Sequence, residues 1–306
     1  MTRPAPPAAD EAEEASETDA AGQAAEAAAA IQPDRAGARP VRPQRGIQSV
    51  EVGGRLLRAL ASARTPLALS DLALAAQIAP GQAHPYLVSL SKLGLIKRDD
   101  LSGRYEPGPL ALRLGLLHVE LQPAFRAAVP RVRALAESIG FSIAISLAGP
   151  QGPTIVRYER AGSPLHVNLH VGTVLSLPTT TTGRVFCAYL PDWHRDAMWA
   201  RQSPGQPDLA APGGTAAEFT DLLATIRARG LERSIDTPSP GISSLAAPVL
   251  NAAGELQLVL TAVGPTGTLD VSWDSAAARA LSATAQGISA TFAEADALGL
   301  ESLTIL

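Results

Sequence analysis

The chain has 306 residues, a formal net charge of −4 and one cysteine, Cys187. That length suits two ordinary domains. A single thiol excludes an intramolecular disulfide or a cysteine-rich metal cage and fits a reducing cytoplasm. No run of about 18 apolar residues is present, so no membrane-spanning helix is expected. The N-terminus MTRPAPPAADEAEEASETDA is acidic and has no apolar core, so it does not read as a secretory signal.

Charge is distributed unevenly. Residues 1–30 hold one arginine against seven acids, residues 31–120 twelve Lys/Arg against seven, and residues 121–306 twelve against fifteen. The basic middle is where a polyanion would bind, because neutralised phosphates release counterions. Within residues 1–44 only Met1, Ile31 and Val41 are apolar beyond alanine and proline. Such a segment cannot offset its ordering entropy, so 1–44 is expected to be a disordered Ala/Pro/Glu-rich tail.

From residue 45 a helical period sets in. Val52, Leu56, Leu57 and Leu60 share one face of a first helix. Ser70 precedes DLALAAQ and reads as the N-cap of a second, with Leu72, Ala75 and Ala76 on its buried side. IAPG reads as a short turn and QAHPYLVSLSKLG as a third helix, with Ala83, Leu87, Leu90 and Leu93 on one stripe and Gly94 as its stop. Pro85 is tolerated only near a helix start, which predicts that this helix begins at 81–83. Ile96, a turn over 99–103 and Tyr105 predict a two-stranded wing. Residues 45–108 thus read as a winged helix-turn-helix.

PLALRLGLLHVELQ predicts a connecting helix over 109–122, and a second domain runs over 123–306. In that domain PAFRAAVPRVRALAESIG reads as a helix. FSIAISLAG, PTIVRYER and PLHVNLHVG read as strands, as do ISSLAAPVL and ELQLVLTAV joined at NAAG. TGRVFCAYL, DWHRDAMWA, TAAEFTDLLATIRARG and a long final segment read as helices. This grouping predicts an α+β domain on an antiparallel sheet.

GIQSVEVGGRLLRAL, LSDLALAAQIAPGQAHPYLVSLSKLGLIKRDDLSGRYEPGPLALRLG, LPTTTTGRVF and PGISSLAAPVLNAAGELQLVL together resemble the IclR family of bacterial transcription regulators. The resemblance covers about residues 46–300. It implies a winged helix, a linker helix that mediates dimerisation and a GAF-like effector-binding domain. The partners implied are double-stranded operator DNA, a small anionic metabolite (a carboxylate or aromatic acid) and further copies of the chain in a homodimer or homotetramer. No cofactor and no membrane are implied. The family's third helix runs Pro-Lys-Ser-Thr-x-His-Arg-Leu-Leu. Over Ala79–Leu87 this chain keeps His84 and Leu87, puts Gly81 and Gln82 at the Ser-Thr positions, and has Pro85 where the arginine stands.

The groove-facing side of the third helix would hold Gln82, Pro85, Ser89 and Lys92, flanked by Tyr86. Gln82 can pair with adenine and Pro85 can meet a thymine methyl. Lys92, Lys97, Arg98 and Arg104 suit phosphates, which position the protein without specifying sequence. His84 is read as structural.

In LPTTTTGRVF the free amides of a helix start offer an anion site. The resemblance places a ligand carboxylate at Thr180, Thr181 and Thr182, with Gly183 beside them. It adds Ile242 and Ser244, the latter often cysteine in the family, together with Ser234 at a position acidic in some members and Asp236 as a nearby substitute. Ser243 should face the opposite side of the sheet from Ser244.

Enzymatic signals are weak. His166 and His170 could share a strand face but lack a third metal ligand. Cys187 sits in an apolar helix and reads as core. Neither GxSxG nor a P-loop is present. The alternative reading is a sensor or enzyme module whose winged helix binds a protein.

Overall fold

The structure is a computed structural model that describes residues 46–63, 65–162, 169–204, 209 and 214–297, with side chains to residue 291. The expected tail over 1–44 lies outside the described residues.

The N-terminal module opens with α1 (Gln48–Ala63), α2 (Leu69–Ala75) and α3 (Pro80–Lys92). Its core joins Leu56 and Leu60 to Leu72 and Ala73, then to Ala83, Leu87 and Leu90, with Ile96 and Tyr105 closing one end. Full burial of each large aliphatic side chain contributes about 1.5–3 kcal/mol. Strands β1 (Ile96–Arg98) and β2 (Tyr105–Pro107) pair antiparallel as the wing, with Arg98 opposite Tyr105.

Three local expectations change. The cap of α2 is Ala68, and Ser70 lies inside the helix with its hydroxyl donating to Asp71 Oδ1 at 3.3 Å. The helix starts two residues earlier than expected, and its buried side is Leu72, Ala73 and Ala76, with Ala75 exposed. Leu93 lies past the end of α3 and is exposed.

The start of α3 also differs from the expectation. Pro80 occupies the first helical turn, so Pro85 lies inside the helix rather than at its start. Pro80 has its φ set for a first helical position and no amide to lose there. The first helical amides bond back to Ala79 O, from Gln82 at 3.0 Å and from Ala83 at 2.9 Å. Pro85 then deprives only the Gly81 carbonyl of its i+4 donor, and Gly81 is exposed, so water can supply the bond. Gly94 ends the segment in the left-handed region, at φ 75°, as its position predicts.

Helix α4 (Pro109–Leu121) follows the wing and buries none of its residues; Leu112, Leu114, Leu116, Leu117 and Leu121 are all exposed. The C-terminal module contains α5 (Pro123–Ile139), β3 (Ser142–Gly149), β4 (Gly152–Glu159), α6 (Thr181–Tyr189), α7 (Asp192–Gln202) and α8 (Ala216–Arg229). It continues through β5 (Glu232–Ile235), β6 (Ile242–Leu250), β7 (Leu256–Pro265) and α9 (Ala276–Ala297). Its five strands form one antiparallel sheet in the order β4-β3-β7-β6-β5. Strand β5 has no counterpart in the sequence reading. Of the strand expected over PLHVNLHVG, residues 163–168 lie outside the described residues, and Leu169–Gly172 form a loop and turn.

Strand alternation divides the sheet into two faces. Leu245, Ala247 and Val249 of β6 and Leu258, Leu260 and Ala262 of β7 pack with α5 and α9. Ala246 and Val259 face the opposite side, against Val185 and Phe186 of α6 and Phe219 and Leu223 of α8. The residues on that second face of β6 and β7 are the ones that meet the start of α6.

Replacing Pro85 with alanine restores the missing helical amide. Pro85→Ala is expected to stabilise the winged helix by about 1–3 kcal/mol, read as a rise in the denaturation midpoint. A lower midpoint would show that the proline ring packs usefully where it is.

Candidate DNA-reading and ligand-binding sites

Gln82, Pro85, Ser89 and Lys92 are all exposed and spaced by three or four residues, so they share one face of α3. Ser89 donates its hydroxyl to Pro85 O at 3.0 Å. Tyr86 is half-buried against the winged-helix core, so its ring is partly engaged in packing. His84 is exposed.

The wing cations support the wing as well as charging it. Lys97 Nζ is 2.7 Å from Glu106 Oε1, and the hydrogen bond and charge of Glu106 raise the lysine pKa. Arg98 donates through Nε to Gly103 O at 3.0 Å and lies 5.9 Å from the Tyr105 ring centre. Arg104 donates through Nη1 to Pro66 O at 3.1 Å. Asp99 closes the turn by accepting from the Ser102 amide and hydroxyl, each at 2.7 Å, which depresses its own pKa. Lys92 makes no ion pair among the described residues.

A cavity of about 100 Å³ lies where α6 begins. Thr180, Thr181, Thr182, Ile242 and Ser244 line it, together with Thr261 and the segment Thr237–Ser239. Thr180 is the N-cap: its hydroxyl accepts from Gly183 N at 2.9 Å and donates to Ser176 O at 2.6 Å. The two following hydroxyls reach the sheet. Thr181 Oγ1 is 2.5 Å from Ser244 Oγ, and Thr182 Oγ1 is 2.7 Å from Thr261 Oγ1. The threonine run therefore both caps a helix and bolts it to β6 and β7.

Three expected residues do not line the cavity. Gly183 sits behind it, where a Cβ would collide with the carbonyls of Ser176 and Leu177. Ser234 turns its hydroxyl to Thr237 O at 2.5 Å. Asp236 has φ 54° and closes the β5–β6 turn, accepting from Gly241 N and Thr266 Oγ1, each at 2.8 Å. Its carboxylate is committed to the turn and does not replace the acid of other family members. Ser243 does take the opposite face from Ser244, bonding Thr266 Oγ1 at 2.9 Å.

Sequence reasoning missed the ion pair that positions this helix. Arg184 Nε donates to Glu232 Oε1 at 2.9 Å, with both side chains almost fully buried. Its Nη1 and Nη2 donate to Thr179 O and Arg233 O, each at 3.1 Å. One guanidinium thus links the threonine loop, α6 and β5. The partners are 48 residues apart in sequence, so no local pattern exposes the pair. Thr261 was also missed, although period-two alternation from Val259 places it on the α6 side.

Cys187 is buried among apolar side chains, and burial pushes its thiol pKa up to about 12, which suits packing and not nucleophilic chemistry. His166 lies outside the described residues, and His170 Nδ1 is 3.3 Å from Thr173 Oγ1. Among the described residues no group of three His, Cys, Asp or Glu could hold a metal ion, and no helix is long and apolar enough to cross a membrane.

A helix-turn-helix with a two-stranded wing, followed by a linker helix and an α+β module on an antiparallel sheet, defines a class of DNA-binding transcription regulators. Residues 49–100 match the IclR helix-turn-helix domain, and residues 118–290 match the C-terminal domain of bacterial IclR transcriptional regulators. The chain belongs to the IclR family, whose C-terminal domain is GAF-like. It is 32% identical to the glycerol operon regulatory protein of Streptomyces coelicolor over 227 residues, which is 74% of this chain and 87% of that protein. Two solved structures share the fold at lower identity. An IclR regulator from Silicibacter sp. TM1040 is 21% identical at TM-score 0.68, covering 80% of this chain and 96% of the other. An IclR homologue from Microbacterium hydrocarbonoxydans, solved with 4-hydroxybenzoate, is 17% identical at TM-score 0.62, covering 80% and 99%. These relatives are regulators and not enzymes, which sets aside the enzyme-module alternative.

Removing Arg184 would leave Glu232 charged and buried. Arg184→Leu is expected to cost about 3–5 kcal/mol by chemical denaturation, and the double change Arg184→Leu with Glu232→Leu clearly less. Equal losses in the two variants would show that packing, not charge, explains the pair.

Proposed function

We propose that the protein binds operator DNA through α3 and the wing, and that a small anionic ligand at the start of α6 sets its operator affinity. The observation that carries this reading is the convergence of Thr180, Thr181, Thr182 and Ser244 on one cavity at a helix N-terminus. The amides of Thr181 and Thr182 begin the helix and have no intrahelical acceptor, and the positive end of the helix favours an anion there. The ligand class is a small carboxylate, aliphatic or aromatic; the Microbacterium homologue was solved with an aromatic acid.

The division is a winged helix at 45–108, a linker helix at 109–122 and an effector domain at 123–306. Gln82 and Pro85 read base edges, Ser89 and Tyr86 border them, and Lys92, Lys97, Arg98 and Arg104 hold phosphates. The exposed leucines of α4 pair two copies of the chain into a homodimer, which can assemble further into a homotetramer, within the cytoplasm. Ligand binding shifts the balance between dimer geometries that fit the operator well or badly; such coupling is typically about 1–3 kcal/mol.

A gel-shift titration against the gene's own upstream DNA tests the first half of this reading. Salt-sensitive binding is expected, and no binding to any upstream fragment would overturn it. Lys92→Ala is expected to weaken operator and random DNA alike and to lower the salt slope by about 1, whereas Gln82→Ala should cost about 1–3 kcal/mol on the operator and relax preference at one base pair. Uniform losses for Gln82→Ala would place it on phosphate.

Thr181→Val is expected to cut the ligand-induced change in operator affinity at least tenfold, measured by fluorescence anisotropy. An unchanged response would remove the cavity from the regulatory pathway.

A further inference from the structure

We infer that the cavity at the start of α6 selects a short aliphatic hydroxy acid, of roughly three or four carbons, and turns aromatic acids away. This rests on the proposed role of the cavity as the effector site and narrows the ligand class.

Volume is the first constraint. The cavity holds about 100 Å³. An apolar cavity of roughly 150 Å³ binds benzene, and an aromatic acid adds a carboxylate to the ring. The pocket is also well below the roughly 300 Å³ at which sites for drug-sized ligands begin.

Charge is the second. Among the described residues no ionisable side chain lines the cavity. A single carboxylate can be met by the amides of Thr181 and Thr182, the two at the helix start that the Thr180 hydroxyl leaves uncapped. A second charge, of either sign, would find no charged partner among the described lining residues and would carry its desolvation cost.

The hydroxyls supply the third. In the pair Thr181–Ser244 one hydroxyl hydrogen lies between the oxygens, which leaves the other hydrogen to donate elsewhere, and the pair Thr182–Thr261 is built the same way. These four side chains therefore offer two hydrogens and several lone pairs to the cavity. A ligand hydroxyl can both accept and donate there, whereas a hydrocarbon surface would leave those groups unmatched.

A strand position next to the lining, though not part of it, carries a buried polar atom. Ser146 is fully buried, and its Oγ has no hydrogen-bond partner among the described residues. It pairs across the sheet with Ile155, which lines the cavity, and stands two residues from Ala144, which does so too. A buried hydroxyl without a protein partner is a place where an ordered water completes the bonding.

The experiment is a thermal-shift and calorimetric panel on the full chain with four probes: glycerate, propionate, glycerol and 4-hydroxybenzoate. A native-state ligand raises the melting temperature by mass action. Glycerate is expected to bind at least tenfold more tightly than propionate, which lacks hydroxyls, or glycerol, which lacks the acid, and 4-hydroxybenzoate is expected not to bind. Equal binding of propionate and glycerate, binding of 4-hydroxybenzoate, or binding by none of the four would overturn the inference. Thr181→Val and Ser244→Ala, each checked for an unchanged circular dichroism spectrum, separate the two levels of the argument. If a different probe binds and both substitutions abolish it, the cavity remains the effector site and only the ligand class is wrong. If binding survives both, the effector-site reading falls with it.

Discussion

The attachment of α6 to the sheet is the constraint on which the C-terminal module depends. A helix that begins with threonines would ordinarily present their hydroxyls to water. Here Thr181 and Thr182 are buried and reach Ser244 on β6 and Thr261 on β7. Arg184, one turn further in, reaches Glu232 on β5 and the carbonyl of Thr179. Each contact satisfies a polar group that burial would otherwise penalise. Together they hold the helix start, with its unpaired amides, over a small cavity. Gly183 is part of the same arrangement, since any side chain there would strike the loop that precedes the helix.

The winged helix is assembled on a different principle. Its three helices meet through small and aliphatic side chains, and its polar residues remain outside. Charge on the wing supports the wing itself. Lys97, Arg98 and Arg104 each have a partner within the module, which orders long side chains in advance; ordered side chains suit the phosphate-holding role proposed for them. Ordering them in advance lowers the entropy cost of docking on DNA. Among the described residues Lys92 has no ion-pair partner, and Pro85 gives the proposed reading face of α3 an exposed apolar point.

Much of this was legible in the residues. Periodicity located the three N-terminal helices, the wing and most of the C-terminal strands, because burial of one face imposes a repeat that neighbouring residues reveal. The boundaries were less legible. Ser70 has the chemistry of a cap, yet the helix begins ahead of it at Leu69. Pro85 argued for a late helix start, but Pro80 suits the first turn better, and the cost of Pro85 falls on an exposed carbonyl. The four-residue strand β5 went unseen because it is too short to show alternation. Its pairing with β6 is what puts Ser234 and Asp236 near the candidate site without admitting either to the cavity.

The sequence by itself determined most of the elements in their order, because burial of one face is written in local spacing, and the family, because its motifs stand in the residues themselves. Only the tertiary structure decided which hydroxyls face one another, that Asp236 is committed to a turn, that Arg184 and Glu232 neutralise each other, and how small the cavity is. Those outcomes depend on residues tens of positions apart meeting across a sheet. Their distance and burial, which set the energies, exist only once the strands have paired.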